Sequence, residues 1–222
     1  MAQLNLDWHE FFTVARKGLG GLLSQSFVEG CQKLVGAWEA GPQTDIRWLA
    51  YELATAYWET GRTMLPVREI GEGHGHPYGV VDQTGKAPYG RGYVQLTWRS
   101  NYIAADARLH LNGTLAADYD MALDPAIAAQ VLFTGMAEGW FTRKKLSDYI
   151  NDKGCDYYNA RRIVNGLDQA GKITNFAQVF EEALHAAVTT PVTLPDPTPR
   201  PSPITVLVRL IMELWHAFTS RL

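Results

Sequence analysis

The sequence predicts a mainly α domain with a small β element. Apolar residues recur at helical spacing over most of the chain, glycines and prolines interrupt that pattern in the middle, and one short stretch alternates as a strand does. With 222 residues and a hydrophobic fraction of 46%, the chain can bury one core of ordinary size. We therefore expect one helical domain with an appendage.

Two amphipathic helices are predicted at residues 24–41 and 44–61. In the first, apolar side chains recur every three or four residues and Gly41 is the stop signal. In the second, Thr44 is the candidate N-cap and Gly61 the candidate C-cap. The two helices are expected to pack on each other.

The middle of the chain is predicted to be loop and strand. Glycines and prolines break any helix over residues 71–92, and "YGRGYVQLTW", residues 89–98, alternates as a short strand. Further helices are predicted in four places: after Ser100, from Asp124, over residues 157–164 and over residues 175–188.

The predicted domain covers residues 1–188, and two different segments follow it. Residues 189–203 are proline-rich and are predicted to be an extended linker. Residues 204–222, wound as a helix, are apolar except for one narrow stripe, and Arg209 and Glu213 at mid-helix disfavour a membrane span. We favour a helix lying at a membrane surface, with self-association second and docking onto the domain third.

Composition disfavours several classes of protein. The net charge of −3 disfavours a nucleic-acid partner. The N-terminus lacks a basic region followed by an apolar run, so no Sec signal peptide is expected. Cys31 and Cys155 are predicted to be free, buried thiols.

Two carboxylates are the candidate catalytic groups. A polar stripe of Trp48, Glu52, Thr55 and Glu59 is predicted opposite the core face of the second helix. Glu59 lies in its last turn, where the negative field of free carbonyls favours the protonated form that a general acid needs. Glu69 follows a proline turn, so both carboxyl groups can face one cleft, as glycosidases require. The alternative is two solvated glutamates without a catalytic role.

Metal and nucleotide sites are not predicted. His74 and His76 form an H-x-H pair without a matched carboxylate or cysteine cluster. The glycines around them lack the strand-to-helix context and the lysine of a phosphate loop. No cofactor is expected.

Aromatic and polar side chains interleave over residues 89–102. Such a mixture suits the flat faces and hydroxyl rims of sugars, and core packing is the alternative for the aromatic rings. The members are Tyr89, Tyr93, Trp98 and Tyr102, interleaved with Arg91, Gln95, Thr97 and Asn101.

Three motifs, in order, resemble those of family 19 glycoside hydrolases: "WETG", "YGRGYVQLTWRSNY" and "RRIVNGLD". More closely, residues 50–69 and 132–151 resemble the chitinase-like lysozymes that bacteriophages and prophages carry as endolysins. The resemblance spans roughly residues 11–184. It implies a lysozyme-like α+β fold, with the β element beside an active-site cleft, and inverting hydrolysis of β-1,4 bonds between amino sugars.

The resemblance also implies roles for individual residues. Glu59 matches the general acid, Glu69 is the implied base with Glu72 as the alternative, and Thr97 matches the hydroxyl that helps hold the attacking water. The family's usual histidine before the acid is Trp58 here, which either desolvates Glu59 or leaves the histidine's orienting role unfilled. With the interleaved aromatics, the predicted substrate-binding set is Tyr89, Arg91, Gln95, Trp98, Asn101 and Asn165.

The implied substrate is the glycan strand of peptidoglycan. The protein would be made in the cytoplasm and would act at the bacterial cell wall, in the periplasm, after release. A chitinase, and a non-catalytic saccharide-binding or toxin-like protein on the same fold, are the alternatives.

Overall fold

The computed structural model describes residues 4–188 and confirms the mainly α class. The predicted linker, 189–203, and the predicted C-terminal helix, 204–222, lie outside the described residues. In the described part, no helix combines the length and the hydropathy needed to cross a membrane. The helices are α1 (Trp8–Leu19), α2 (Gln25–Glu39), α3 (Ile46–Glu59), α4 (Arg99–Arg108), α5 (Thr114–Ala117), α6 (Pro125–Glu138), α7 (Tyr157–Ala160) and α8 (Ala170–Ala187). The strands are β1 (Val67–Arg68), β2 (Arg91–Gly92), β3 (Ile150–Asn151) and β4 (Gly154–Cys155), and short 3-10 helices cover Pro77–Gly79, Tyr119–Leu123, Leu146–Asp148 and Arg161–Ile163.

Helix α3 is the centre of the domain. It packs against α2, α6 and α8, and α8 also packs against α1. Every residue of α3 from Leu49 to Tyr57 is buried. Aromatic rings of four elements meet on one side of it, and each such ring contributes on the order of 2 kcal/mol by leaving water. They are Phe11, Phe27, Tyr57 and Phe180.

Helix α1 was not among the predicted helices. The Asp7 carboxylate caps it by accepting hydrogen bonds from the backbone N–H groups of His9 and Glu10. Phe11 faces the core, and Gly20 ends the helix with a left-handed φ of 75°. A capping residue, an inward-facing aromatic and a terminal glycine are therefore all present in this segment.

The β element is shorter than predicted. Strands β1 and β2 pair antiparallel, with Val67 opposite Gly92. The strand predicted over residues 89–98 is wrong beyond β2, because Gly92 and Gln95 have φ values of 90° and 54° and reverse the chain. The backbone N–H of Leu96 then donates to the carbonyl of Arg91 at 2.9 Å. The alternating pattern belongs to a tight turn.

The predicted polar stripe on α3 is wrong at two positions. Glu52 and Thr55 are 0% and 1% exposed, because α3 is surrounded by other helices rather than lying on the surface. Glu52 Oε1 accepts a hydrogen bond from Gln43 Nε2 at 3.0 Å, whereas Glu52 Oε2 has no hydrogen-bond partner among residues 4–188. Burial raises the pKa of Glu52 well above its usual range, despite the bond from Gln43 that acts in the opposite direction. Burial of Glu52 in the core therefore favours its neutral form.

Replacing Glu52 by glutamine is expected to stabilise the protein at pH 7 and above. A raised folded-state pKa gives stability that is present below the unfolded value and is lost as pH rises toward the folded value, by up to about 1.4 kcal/mol per pH unit. Glutamine resembles the neutral acid and does not titrate. Thermal unfolding of the variant should show a gain that grows as the pH rises above about 5. A gain in stability that is independent of pH would contradict a raised pKa at Glu52.

Both cysteines are free, as predicted, but only one is buried. Cys31 lies inside α2, whereas Cys155 is exposed on β4. The predicted burial of Cys155 is wrong because its segment forms a two-residue hairpin strand and not a helix.

Candidate active site

Helix α3 positions Glu59, its last residue. The buried hydroxyl of Thr60 donates to the Ala56 carbonyl at 2.7 Å and accepts from the Met64 backbone N–H at 3.0 Å, which fixes the following turn. Arg161 Nη1 donates to Glu59 Oε1 at 2.7 Å, with 3% of the Arg161 and 17% of the Glu59 side chain exposed. The guanidinium therefore offsets the negative field expected at this helix end. The prediction for Glu59 took the field into account but not this positive charge.

Arg161 is a site residue that the sequence analysis missed. It belongs to the quoted "RRIVNGLD" motif, and its spacing from Tyr157 places it on the inner face of its segment. A buried arginine requires a partner, and the Glu59 carboxylate supplies it. Trp58 instead stacks on Phe176 of α8 at 6.4 Å. The contact that orients Glu59 therefore comes from Arg161 and not from residue 58.

Glu69 extends the ladder of β1 and β2. Its backbone N–H donates to the Gly90 carbonyl at 2.8 Å, and its Oε2 accepts from the Gly90 N–H at 3.0 Å. Its Oε1 accepts from the Tyr78 hydroxyl at 3.1 Å. A Cβ added at Gly90 would lie 3.3 Å from Glu69 Oε2 and 2.7 Å from Gln95 Oε1, so both side chains converge on this glycine. The structure thus brings Glu69 and Gln95 together.

Glu72, the alternative base, lies elsewhere. It is exposed, with a left-handed φ of 52°. It lines a surface pocket with Arg68 and Lys86, whereas Glu69 faces Gly90. The two glutamates therefore have different surroundings.

The other predicted polar residues follow Glu69 along the motif. The Thr97 hydroxyl donates to the Gln95 carbonyl at 2.8 Å, and Asn101 Nδ2 donates to the Thr97 carbonyl at 2.7 Å. Trp98 is 47% exposed and has a φ of 73°, a strained conformation for a bulky residue. Asn165 is exposed, and its backbone N–H donates at 3.1 Å to the carbonyl of Arg161, the residue that binds Glu59. The predicted residues thus form one group around Glu69 and another around Glu59.

Two predicted substrate-binding residues are buried. Arg91 is 1% and Tyr89 4% exposed, and the Arg91 guanidinium carbon lies 3.6 Å from the centre of the Tyr89 ring. Arg91 also donates to Asp120 Oδ1 at 2.8 Å. Both residues also line the surface pocket that contains Glu72, and their role in substrate binding stays a prediction. The two side chains pack inside the fold and stabilise the motif there.

Asp120 links the motif to the rest of the domain through three cations. Its Oδ1 accepts from Arg68 and Arg91, and its Oδ2 accepts from Lys86. Partial burial acts to raise the pKa of Asp120, but the hydrogen bonds from Lys86 and Arg91 and the nearby positive charges outweigh it and lower the pKa to about 2.

The Asp120 network is expected to weaken in acid. A lowered folded-state pKa gives stability that is present above the unfolded value of 3.8 and is lost as pH falls through about 2. The contribution is roughly 2 kcal/mol. The melting temperature should fall between pH 4 and pH 2, and Asp120→Asn should be less stable at pH 7 but lose less over that range. Equal acid sensitivity of the two proteins would exclude Asp120 as a source of the stability lost in acid.

The structure places no metal-binding cluster in the site. His74 and His76 are exposed. Within residues 4–188, no three histidine, cysteine, aspartate or glutamate side chains are grouped closely enough to bind a metal ion.

Comparison with solved structures identifies the fold. Chitinase C from Streptomyces griseus HUT6037 superposes with a TM-score of 0.58 and 21% sequence identity, over 86% of this chain and 80% of that chain. The fold is therefore mainly α and lysozyme-like, as that of this chitinase. No family model and no curated protein matches the chain.

Proposed function

We propose that the protein is a glycoside hydrolase that cleaves β-1,4 bonds between the amino sugars of peptidoglycan. One observation carries the proposal: two carboxylates are fixed in contrasting environments. Glu59, at the end of α3, is bound by a guanidinium, whereas Glu69, which follows β1, accepts from the Tyr78 hydroxyl and the Gly90 backbone N–H, both neutral donors. Two carboxyl groups, each fixed by its own contacts, are the pair that an acid and base mechanism needs, and the family resemblance assigns Glu59 as the acid and Glu69 as the base.

In the proposed mechanism, protonated Glu59 donates its proton to the leaving glycosidic oxygen. Water attacks the anomeric carbon from the opposite face, and Glu69 accepts the proton that the water loses. Thr97 helps hold this water, and Gln95, Trp98, Asn101 and Asn165 bind the saccharide. Glu69 then releases a proton and Glu59 regains one, so the proton count balances. The anomeric configuration at the new reducing end is inverted.

Peptidoglycan is the preferred substrate because residues 50–69 and 132–151 resemble the endolysin sequences. The second candidate is chitin, since a solved structure with the same fold is a chitinase. Fold similarity does not determine the substrate, so this choice rests on sequence resemblance alone.

Digestion of purified cell wall and of chitin, followed by mass analysis, tests the proposal. New muropeptides with reducing ends from the wall would support it. Release of chitin oligomers together with no cleavage of the wall would show that the substrate is chitin and not peptidoglycan. Saccharide binding without cleavage of either polymer would leave a non-catalytic binding protein.

We further propose that the protein is made in the cytoplasm and acts at the cell wall after release, with residues 204–222 at the membrane surface. Truncation after Val188 is expected to leave hydrolysis of isolated wall nearly unchanged and to weaken binding to anionic liposomes. Lysis of intact cells from outside should weaken in parallel. An unfolded truncated protein, or one inactive on isolated wall, would contradict this division of roles.

A further inference from the structure

One tyrosine directly contacts the proposed base. The Tyr78 hydroxyl donates to Glu69 Oε1 at 3.1 Å, while the Gly90 N–H donates to the other oxygen at 3.0 Å. Each carboxylate oxygen therefore has one donor and retains a lone pair for a further hydrogen bond. Tyr78 was not among the residues that the sequence suggested.

Two neighbouring rings fix the position of the Tyr78 ring. His76 stacks on it with a centroid distance of 4.9 Å and an interplanar angle of 6°. Trp98 meets it edge-on at 5.2 Å and 78°. The strained φ of Trp98, 73°, is thus found at the residue that packs against this ring.

The loop that carries Tyr78 is closed on itself. The His76 N–H donates to the Gly73 carbonyl, and the Gly79 N–H donates to the His76 carbonyl, each at 2.9 Å. A Cβ at Gly79 would lie 1.9 Å from the Gly73 oxygen, so the backbones touch where only glycine fits. The glycine-rich sequence therefore builds a compact support for Tyr78.

We propose that Tyr78 is a positioning residue that holds the Glu69 carboxylate in the orientation needed to accept a proton from water. The proposal rests on the proposed function, in which Glu69 is the base. A hydrogen bond donated to a carboxylate favours its ionised form. With Tyr78 in place, the Glu69 carboxylate is held in one orientation.

The effects of other titratable groups near this contact must be distinguished from the effect of Tyr78. These groups are His76, which stacks on Tyr78, and Arg68 and Glu72, which flank Glu69 along the chain. Arg68 donates to Tyr89 and Asp120. His76→Ala removes the stacked imidazole without removing the phenol, so it reports the contribution of the histidine alone.

Rates on purified cell wall, measured against pH, test the proposal. Tyr78→Phe keeps the ring and removes the donor, so kcat should fall about ten- to hundred-fold, with KM changed little. The pH profile of kcat should also differ between this variant and the wild type, because a donor to the proposed base is lost. Tyr158→Phe, at a tyrosine that is 49% exposed on α7, is the matched control and should resemble the wild type.

A second measurement does not depend on activity. Burial raises the pKa of the Tyr78 phenol, and the hydrogen bond to Glu69 and its charge raise it further. With ring-labelled tyrosine, NMR titration should find Tyr78 ionising at higher pH in the wild type than in Glu69→Gln. The signal is assigned by its loss in Tyr78→Phe.

The outcomes separate the two proposals. An active wild type whose rate and pH profile are unchanged in Tyr78→Phe would overturn the positioning role alone. Equal Tyr78 titration in the wild type and Glu69→Gln would overturn the contact. A wild type inert on cell wall and chitin would overturn the proposed function, whatever the titration shows.

Discussion

Replacing Glu59 by glutamine is expected to reduce hydrolysis of purified cell wall by on the order of a hundred- to ten-thousand-fold, the usual contribution of acid catalysis. The amide keeps the shape of the side chain and an acceptor for Arg161, which donates to Glu59 Oε1 at 2.7 Å. It lacks the proton that the leaving oxygen needs. The release of new reducing ends measures the loss directly.

Folding must be controlled, because Glu59→Gln leaves Arg161 without its counter-charge. Some loss of stability is expected, since breaking a buried ion pair from one side is unfavourable. Circular dichroism and the melting temperature show whether the variant is folded at the assay temperature. Glu39→Gln is the matched control, because Glu39 is the last residue of α2 as Glu59 is of α3. A folded Glu59→Gln variant with more than about a tenth of wild-type activity would exclude Glu59 as the acid.

Replacing Glu69 by glutamine is expected to be as damaging as replacing Glu59, whereas Glu72→Gln should be mild. Glu69 is bound by Tyr78 and lies against Gly90, whereas Glu72 is exposed and lines a separate pocket. The two glutamates are three positions apart, so each variant is the control for the other. Initial rates on the same cell-wall preparation provide the comparison.

Azide gives an independent test of the base. A small anion can attack the anomeric carbon without a base, so it should restore turnover in the variant that lacks the base and produce an inverted glycosyl azide. Rescue of Glu69→Gln is the expected result. If Glu72→Gln is inactive and Glu69→Gln is active, Glu72 and not Glu69 is the base.

Most of the longer helices could be predicted because their signals are local, although α1 was missed. Asp124 caps α6 by accepting from two backbone N–H groups, and the sequence places it directly before Pro125. The same kind of reasoning was wrong for Glu52 and Thr55. Periodicity indicates which face of a helix is apolar, but not how many neighbours surround the helix, and α3 is enclosed by three other helices.

The site could be predicted only in part, because its contacts are of two kinds. Glu59, Glu69 and Gln95 lie in motifs that the sequence displays. Arg161 lies 102 positions from Glu59, and only the packed fold joins them. Tyr78 is near Glu69 in sequence, but its contact depends on a loop of left-handed glycines whose path the sequence does not specify.

The anomeric configuration of the first product tests the account most directly. Proton NMR during hydrolysis of soluble, uncrosslinked glycan strands by the wild type reports which anomer forms before mutarotation. An acid at Glu59 and a base at Glu69 that activates water predict the α-anomer from a β-1,4 bond, and no product from Glu59→Gln. The β-anomer as first product, or no new reducing end from the folded wild type, would contradict the account.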